Sequence, residues 1–186
     1  MLIRAEGPRD RDAVAHVVTG AFEAEGEHVA ELVDALRTLV TPASGLSLVA
    51  EEDGLVVGHV MFTSSLLDAP RELVEVQVLS PLAVSPDRQQ QGIGSRLVRE
   101  GLGVLDERRV PIVFLEGSPT YYPRLGFAPG GDYGFRKPSL RIPDKAFQAM
   151  RLGAYEPWMT GTLVYSEVFW RFDAVGLRNG DETTAP

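Results

Sequence analysis

A glycine-bearing loop, residues 89–95, joins a β-rich run to an amphipathic helix and limits what this chain can fold into. The run ends at Val84, and Gly92 and Gly94 lie where the helical pattern begins. The first turn of a helix carries N–H groups without intrahelical partners, and the helix dipole makes that end positive. Glycines there let an anion approach the backbone closely, because no Cβ stands in the way. The segment therefore predicts a strand–loop–helix unit that binds a pyrophosphate.

Two common phosphate-binding loops do not match this segment. A Walker loop requires Gly-Lys-Ser/Thr, and no lysine lies near residues 89–95. A dinucleotide-binding loop requires a third glycine after two further residues, where this chain has Leu97. The spacing that is present is Gln-x-x-Gly-x-Gly, formed by Gln89, Gly92 and Gly94.

Hydrophobic periodicity indicates strands and helices on both sides of this loop. Strands are predicted at 2–5, 46–51, 55–63, 72–84, 111–115 and 162–169. Helices are predicted at about 10–22, 29–40 and 94–108, with a short helix or turn at 119–125. Pro81 cannot donate to a ladder, so the strand that contains it must bulge or splay there. The pattern predicts an α/β or α+β fold with a mixed sheet.

We expect residues 1–186 to form a single domain, with a core over about 1–130 and a C-terminal extension over about 131–177. The polar tail, 178–186, is expected to be frayed. The apolar strand predicted at 162–169 would leave an exposed sheet edge, and a homodimer would cover it.

Composition excludes several classes of protein. The chain of 186 residues has no cysteine, which excludes disulfide scaffolds, thiol nucleophiles and cysteine-type zinc sites. Its net charge of -8 argues against nucleic-acid binding, which needs a basic surface. No apolar run approaches the roughly 18 to 20 residues of a membrane span, and the first residues show no signal-peptide core. We therefore expect a cytoplasmic protein that binds neither nucleic acid nor membrane.

A second motif lies downstream, in the run Tyr-Tyr-Pro-Arg-Leu-Gly-Phe at 121–127. With the Gln-x-x-Gly-x-Gly loop, it resembles the GNAT (GCN5-related N-acetyltransferase) superfamily, and within it a bacterial subgroup with a Tyr-Tyr-x-Arg-Leu/Phe-Gly-Phe motif. The resemblance implies a mixed, mostly antiparallel central sheet with splayed strands, flanked by helices. It also implies acetyl-CoA as cosubstrate, no metal, and direct attack of an amine on the thioester.

The resemblance carries roles onto particular residues of this chain. It implies that Tyr122 protonates the departing CoA thiolate; the alternative is a packed aromatic ring whose hydroxyl reaches solvent. Tyr121 beside it is expected to be structural. Ser118 is open to two interpretations, a contact with CoA or a turn before Pro119. The residues that the resemblance places around the cofactor are Leu82, Ala83, Val84, Gln89, Gln90, Gln91, Gly92, Ile93, Gly94, Ser95 and Ser118. Three arginines flank the loop and predict a locally positive cofactor mouth: Arg88, Arg96 and Arg99.

The general base has no clear candidate in the sequence. Some GNAT members place a glutamate on the fourth strand where this chain has Val78, which cannot accept a proton. Other acidic side chains that could act, directly or through water, are Glu31, Glu72, Glu75 and Glu116. His28 lies beside the loop between the first two helices, which borders the acceptor cleft in this family.

These observations predict an N-acetyltransferase that transfers the acetyl group of acetyl-CoA to a primary amine. The alternative is a non-catalytic GNAT-like module that binds acyl-CoA as a sensor or partner-binding domain. The sequence leaves the acceptor open among small amines, aminoglycoside-like molecules, amino acids, and protein N-termini or lysines.

Overall fold

The protein forms a single mixed sheet with helices on both faces in a computed structural model that describes residues 1–41 and 43–178. The strands are β1 (Leu2–Ala5), β2 (Gly45–Glu52), β3 (Leu55–Asp68), β4 (Leu73–Val84), β5 (Ile112–Glu116), β6 (Ala128–Pro129), β7 (Phe135–Arg136), β8 (Phe147–Arg151) and β9 (Gly161–Val164). The helices are α1 (Arg11–Ala21), α2 (Gly26–Arg37), α3 (Ile93–Glu107) and α4 (Glu167–Arg171).

The sheet runs in the order β1-β2-β3-β4-β5-β8-β6. Neighbours along this path are antiparallel except β4 and β5, which are parallel. Strand β9 pairs with the end of β3, beyond the stretch that β2 covers, and β7 runs parallel to β9. The mixed, mostly antiparallel sheet expected from the sequence is therefore confirmed.

Side-chain alternation along the strands builds two cores, one on each face of the sheet. Helix α3 covers one face through residues such as Leu97 and Leu102, which pack with Phe62. Helices α1 and α2 cover the other face together with the C-terminal extension, whose Phe147 and Phe169 are buried there. The extension thus completes a core that the first two helices only partly cover.

Strand β4 is irregular where the sequence predicted it would be. Leu79 pairs with Phe62 and Leu82 pairs with Val60, so Ser80 and Pro81 together face the single residue Met61. This is a β-bulge, and it lies at the proline that cannot donate to the ladder. Beyond the bulge, β4 leads directly into the glycine-bearing loop.

The last predicted strand is wrong in its second half. Strand β9 ends at Val164, and the Ser166 hydroxyl accepts a hydrogen bond from the Val168 amide at 3.4 Å to cap the short helix α4. Phe169 is therefore a buried helical residue, and only Gly161–Val164 forms the strand. The short strands β6 and β7 and the strand β8 were not predicted, and the tail beyond residue 178 lies outside the described residues.

No helix within residues 1–41 and 43–178 is long and apolar enough to cross a membrane.

A buried charge network joins Glu6, directly after β1, to the end of α2 and to β3. Glu6 bonds to Arg37 at 2.7 Å, lies 3.3 Å from the His59 ring, and accepts a hydrogen bond from the Ser47 hydroxyl. Burial alone would raise the pKa of Glu6, but the hydrogen bonds from His59 and Ser47 and the charges of His59 and Arg37 lower it to about 2. The Glu6 carboxylate is therefore ionised in the folded protein at neutral pH.

We predict that Glu6 makes the fold sensitive to acid. Its pKa in the folded protein, about 2, lies below the ordinary 4.5, so its contribution is present above pH 4.5 and is lost as the pH falls toward 2. The free energy of unfolding should drop by roughly 3 kcal/mol through that window from this group alone.

Urea unfolding between pH 2 and 7 measures this effect. Glu6→Gln should be less stable at pH 7 and should flatten the acid limb, whereas Glu31→Gln, at an exposed site on α2, should leave the limb as it is. An equally steep limb in Glu6→Gln would contradict the role of this network.

Candidate functional site

An open cleft of about 620 Å³ lies between the end of β4 and the turn that follows β5. It exists because β4 and β5 pair only at Gln77 with Val113 and at Val78 with Phe114, and then diverge. The residues that line the cleft are Leu82, Val84, Arg88, Gln89, Gln90, Gly92, Ile93, Gly94, Ser95, Tyr121 and Arg124.

The loop between β4 and α3 directs backbone amides into this cleft. Gly92 has a φ of 82°, and Gln90 before it also has a positive φ of 60°, so the chain turns sharply into the helix. The Arg96 amide makes the first helical bond, to the Gly92 carbonyl at 3.1 Å, so the amides of 93–95 precede the ladder. The first turn of α3 therefore offers three donors and a positive dipole end to an anion.

Two glutamine side chains hold the loop together. The Gln89 amide donates to the Val84 carbonyl at 3.1 Å, and the Gln91 amide donates to the Asp87 carbonyl at 3.3 Å. Gln91 lies outside the lining of the cleft, while Gln89 contributes to it. Both glutamines therefore tie the loop to the residues that precede it.

Tyr121 forms the wall opposite the helix start. Its hydroxyl lies 3.2 Å from the Ser95 hydroxyl, within hydrogen-bond distance. A Cβ added at Gly94 would stand 3.0 Å from the same Tyr121 oxygen, so the glycine makes room for the tyrosine as well as for a ligand. Tyr121, expected to be structural, thus lines the cleft.

Tyr122 lies beneath Tyr121, and its ring packs edge-on against both Tyr121 and Phe127. A Cβ at Gly117 would stand 2.3 Å from a Tyr122 ring carbon, so the ring occupies the space that the glycine leaves. Burial and the neighbouring Tyr121 hydroxyl raise the pKa of Tyr122 well above its ordinary value of 10. The phenol therefore keeps its proton throughout the neutral range.

Two other residues expected around the cofactor, Ala83 and Ser118, do not line the cleft. Ala83 alternates to the opposite face of the sheet, where its side chain is buried in the core beneath α1 and α2. Ser118 is exposed outside the lining of the cleft, and its hydroxyl accepts a hydrogen bond from the Thr120 amide at 3.3 Å. The geometry of Ser118 is that of a turn-forming residue.

Of the three arginines expected at the cofactor mouth, only Arg88 lines the cleft. Arg88 lines the cleft but lies within 4 Å of two carboxylates, 3.9 Å from Glu52 and 3.6 Å from Asp87. Arg96 and Arg99 line a separate depression with Ile3 and Glu100, on the outer side of α3. Arg124, from the turn after β5, supplies the second cation of the cleft, which sequence reasoning missed.

Comparison with known proteins identifies the family and supports the fold. The family model of the Acetyltransferase (GNAT) domain matches residues 3–130, which is more than half of the chain. The chain belongs to the GNAT acetyltransferase family. The cleft described above lies within the matched region.

Relatives of this GNAT chain cover most of its length. YjhQ of Escherichia coli, an uncharacterized N-acetyltransferase, is 38% identical over 137 residues, 73% of this chain and 74% of that protein. YhbS of the same species, also an uncharacterized N-acetyltransferase, is 34% identical over 175 residues, 92% of this chain and 100% of its own length.

Solved structures of two GNAT proteins resemble this chain over nearly its whole length. The YhbS structure in complex with CoA superposes with a TM-score of 0.81 at 33% identity and covers 95% of both chains. A GNAT family acetyltransferase from Brucella melitensis in complex with acetyl-CoA has a TM-score of 0.69 at 34% identity, covering 90% of this chain and 97% of that one.

Three of the four glutamates considered as bases of this GNAT domain lie in exposed positions. Glu72 lies in the turn between β3 and β4, and Glu75 lies near that same end of β4, so both are far from the splayed end. Glu31 is exposed on α2. The fourth-strand position, Val78, is buried in the core and offers no proton acceptor.

Glu116, at the end of β5, is bound to the C-terminal extension. It accepts hydrogen bonds from the Tyr165 hydroxyl at 2.9 Å and from the Gly176 amide at 3.0 Å. Burial raises the pKa of Glu116, partly opposed by these two hydrogen bonds and by the charge of Arg141. Its contacts make it an anchor for the extension.

His28 also contacts the extension. Its Nε2 donates to the Phe172 carbonyl at 2.7 Å, which ties α2 to the residue that ends α4. The histidine therefore has a structural partner on the side of the sheet that α1 and α2 cover.

We predict that Gly117→Ala disturbs the Tyr122 pocket. The new methyl group would collide with the ring at 2.3 Å, and such overpacking typically costs about 1–3 kcal/mol of stability. The control is Gly103→Ala, on the exposed face of α3 with open space around it, where a better helix former should raise stability by roughly 0.5–1 kcal/mol. Urea unfolding compares the two, and equal stability in both variants would contradict the packing described for Tyr122.

Proposed function

We propose that this protein is an N-acetyltransferase that transfers the acetyl group of acetyl-CoA to a primary amine. The observation that carries the proposal is the cleft itself. The free amides at the start of α3, the splayed end of β4 and Tyr121 all meet there, and the Tyr122 ring packs directly behind Tyr121. Membership of the GNAT family and the CoA complexes of two relatives support it.

The chemistry of the cleft fits the parts of CoA. Amides of 93–95 and the helix dipole suit the pyrophosphate, and Arg88 and Arg124 add positive charge at the same opening. The backbone of 82–84 lacks a ladder partner on the β5 side among the described residues, so it can pair with the amides of the pantetheine arm. The cofactor would thus lie from the loop toward the splay.

In the proposed reaction, the neutral amine attacks the thioester carbonyl and forms a new C–N bond. The C–S bond then breaks, the amine nitrogen loses a proton, and the thiolate gains one to leave as CoA thiol. The chain has no cysteine, so no cysteine-borne acyl intermediate can form. Direct transfer needs both reactants held together, and that positioning supplies much of the rate.

Tyr122 would donate the proton to the thiolate. A general acid must hold its proton at working pH, and burial raises the pKa of Tyr122 in that direction. Tyr121, whose hydroxyl contacts Ser95 at the helix start, would instead contact the cofactor near its phosphates. The two adjacent tyrosines would therefore serve different parts of one ligand.

We predict that Gly92→Glu weakens CoA binding at least tenfold. A side chain at this left-handed position strains the loop, and the new carboxylate repels the pyrophosphate. Gly103→Glu adds the same charge to the exposed face of α3 and should bind CoA as the wild type does. Isothermal titration calorimetry with CoA measures both affinities, and an unaltered affinity in Gly92→Glu would refute the pyrophosphate site.

We predict that Tyr122→Phe lowers kcat for acetyl transfer by about 10²–10⁴-fold, the usual contribution of a general acid. The KM for acetyl-CoA should change little, because the ring stays packed. The matched control is Tyr155→Phe, which removes a phenol in the C-terminal extension, beside Arg151. Thiol release from acetyl-CoA across a panel of primary amines is the measurement.

The same assay tests the non-catalytic alternative. CoA binding by calorimetry without thiol release on any amine would favour an acyl-CoA-binding module over an enzyme. Turnover at the wild-type rate in Tyr122→Phe would support the enzyme proposal and would show that Tyr122 is not its general acid.

A further inference from the structure

Gln148 is a fully buried polar side chain next to the turn that carries Tyr121 and Tyr122. It lies on β8, between Leu115 of β5 and Pro129 of β6, and only 1% of its surface is exposed. Its Nε2 donates two hydrogen bonds, to the Gly117 carbonyl at 3.1 Å and to the Ser118 carbonyl at 3.2 Å. These carbonyls belong to the loop that leaves β5 and carries the two tyrosines.

The Ser118 carbonyl connects Gln148 to the tyrosines. The amides of Tyr121 and Tyr122 both point to this oxygen, at 3.3 Å and 3.4 Å, and so close the turn. Gly117, the other acceptor, provides the space that the Tyr122 ring fills. One amide group therefore fixes both the carbonyl that organises the turn and the backbone beneath the ring.

The oxygen of the same amide has no partner. Oε1 of Gln148 is buried and makes no hydrogen bond within the described part of the chain. Rotating the amide would place this oxygen against two carbonyl oxygens, so the orientation is fixed by the two donor bonds. A buried oxygen without a partner lowers stability, and an apolar side chain of the same shape would avoid that loss. The buried amide therefore lowers stability through its unpaired oxygen, while its two donor bonds hold the loop after β5 in place.

We propose that Gln148 is a positioning residue of the acetyltransferase site, which holds the Tyr121–Tyr122 turn so that the Tyr122 hydroxyl meets the leaving thiolate. This inference rests on the proposed function, since it assumes that Tyr122 supplies the proton. Gln148 itself does not line the cleft. Its effect passes through the Gly117 and Ser118 carbonyls.

The chain offers a matched control in Gln77. This glutamine of β4 is also buried, 6% exposed, and its Oε1 is also without a partner among the described residues. Its amide donates to the Ser44 carbonyl at 3.4 Å, in a loop before β2 and outside the lining of the cleft. Gln148→Met and Gln77→Met therefore remove the same group from two buried sites, only one of which supports the turn.

We expect Gln148→Met to lower kcat for thiol release from acetyl-CoA by roughly 10- to 100-fold, as misplacement of a catalytic group does. The KM for acetyl-CoA should change less than about threefold, because the loop at 89–95 is untouched. Gln77→Met should keep the wild-type kcat. Equal kcat losses in the two variants, or none in Gln148→Met, would overturn the proposal.

A double-mutant cycle separates positioning from general stability. In a Tyr122→Phe background, Gln148→Met should lower kcat less than about twofold, because the group that it positions has been removed. If the two factors multiply instead, Gln148 acts independently of Tyr122 and the proposal is wrong. Gln148→Leu provides a second variant of similar volume if the methionine packs poorly.

Fluorine NMR of fluorotyrosine-labelled protein tests the same point without turnover. The Tyr122 signal, identified by its loss in Tyr122→Phe, should shift in Gln148→Met and stay in Gln77→Met. An unmoved signal would overturn the positioning role whatever the kinetics. A moved signal with no kcat loss in Tyr122→Phe would overturn the acid role of Tyr122 and retain the structural role of Gln148.

Discussion

The parallel pairing of β4 with β5 is only two residue pairs long, and the arrangement of the cleft follows from that brevity. Two parallel strands that separate leave backbone groups without ladder partners, which is costly in a protein interior unless water or a ligand meets them. The bulge at Ser80 and Pro81 lies just beyond Val78, the last residue of β4 that pairs with β5. The start of α3 and the turn after β5 therefore face each other across an opening.

The sequence predicted those parts of the protein that local chemistry determines. Strand alternation, the helix stripe of α3 and the bulge at Pro81 each depend on a short window of residues, and all three are found. The loop at 89–95 could be interpreted because its glycines leave room for an anion at their own positions. The left-handed conformation of Gly92 is a further property, which only the structure shows.

Features that depend on distant contacts could not be predicted in the same way. The two tyrosines are adjacent in sequence, and only the tertiary packing shows that Tyr121 lines the cleft beside Gly94 while the Tyr122 ring packs against Gly117. Gln148 has no motif around it, and its partners lie about thirty residues earlier. Strand 162–169 was misjudged because an apolar run of that length suits a strand or a helix, and the Ser166 cap decides between them.

The contact between the Ser95 and Tyr121 hydroxyls joins the two sides of the cleft without a ligand. Because this contact already connects the two walls of the cleft, the width of the cleft is set, and a bound cofactor need not order the walls. Binding then avoids part of the entropic cost of immobilising side chains, and less of the intrinsic contact energy is lost.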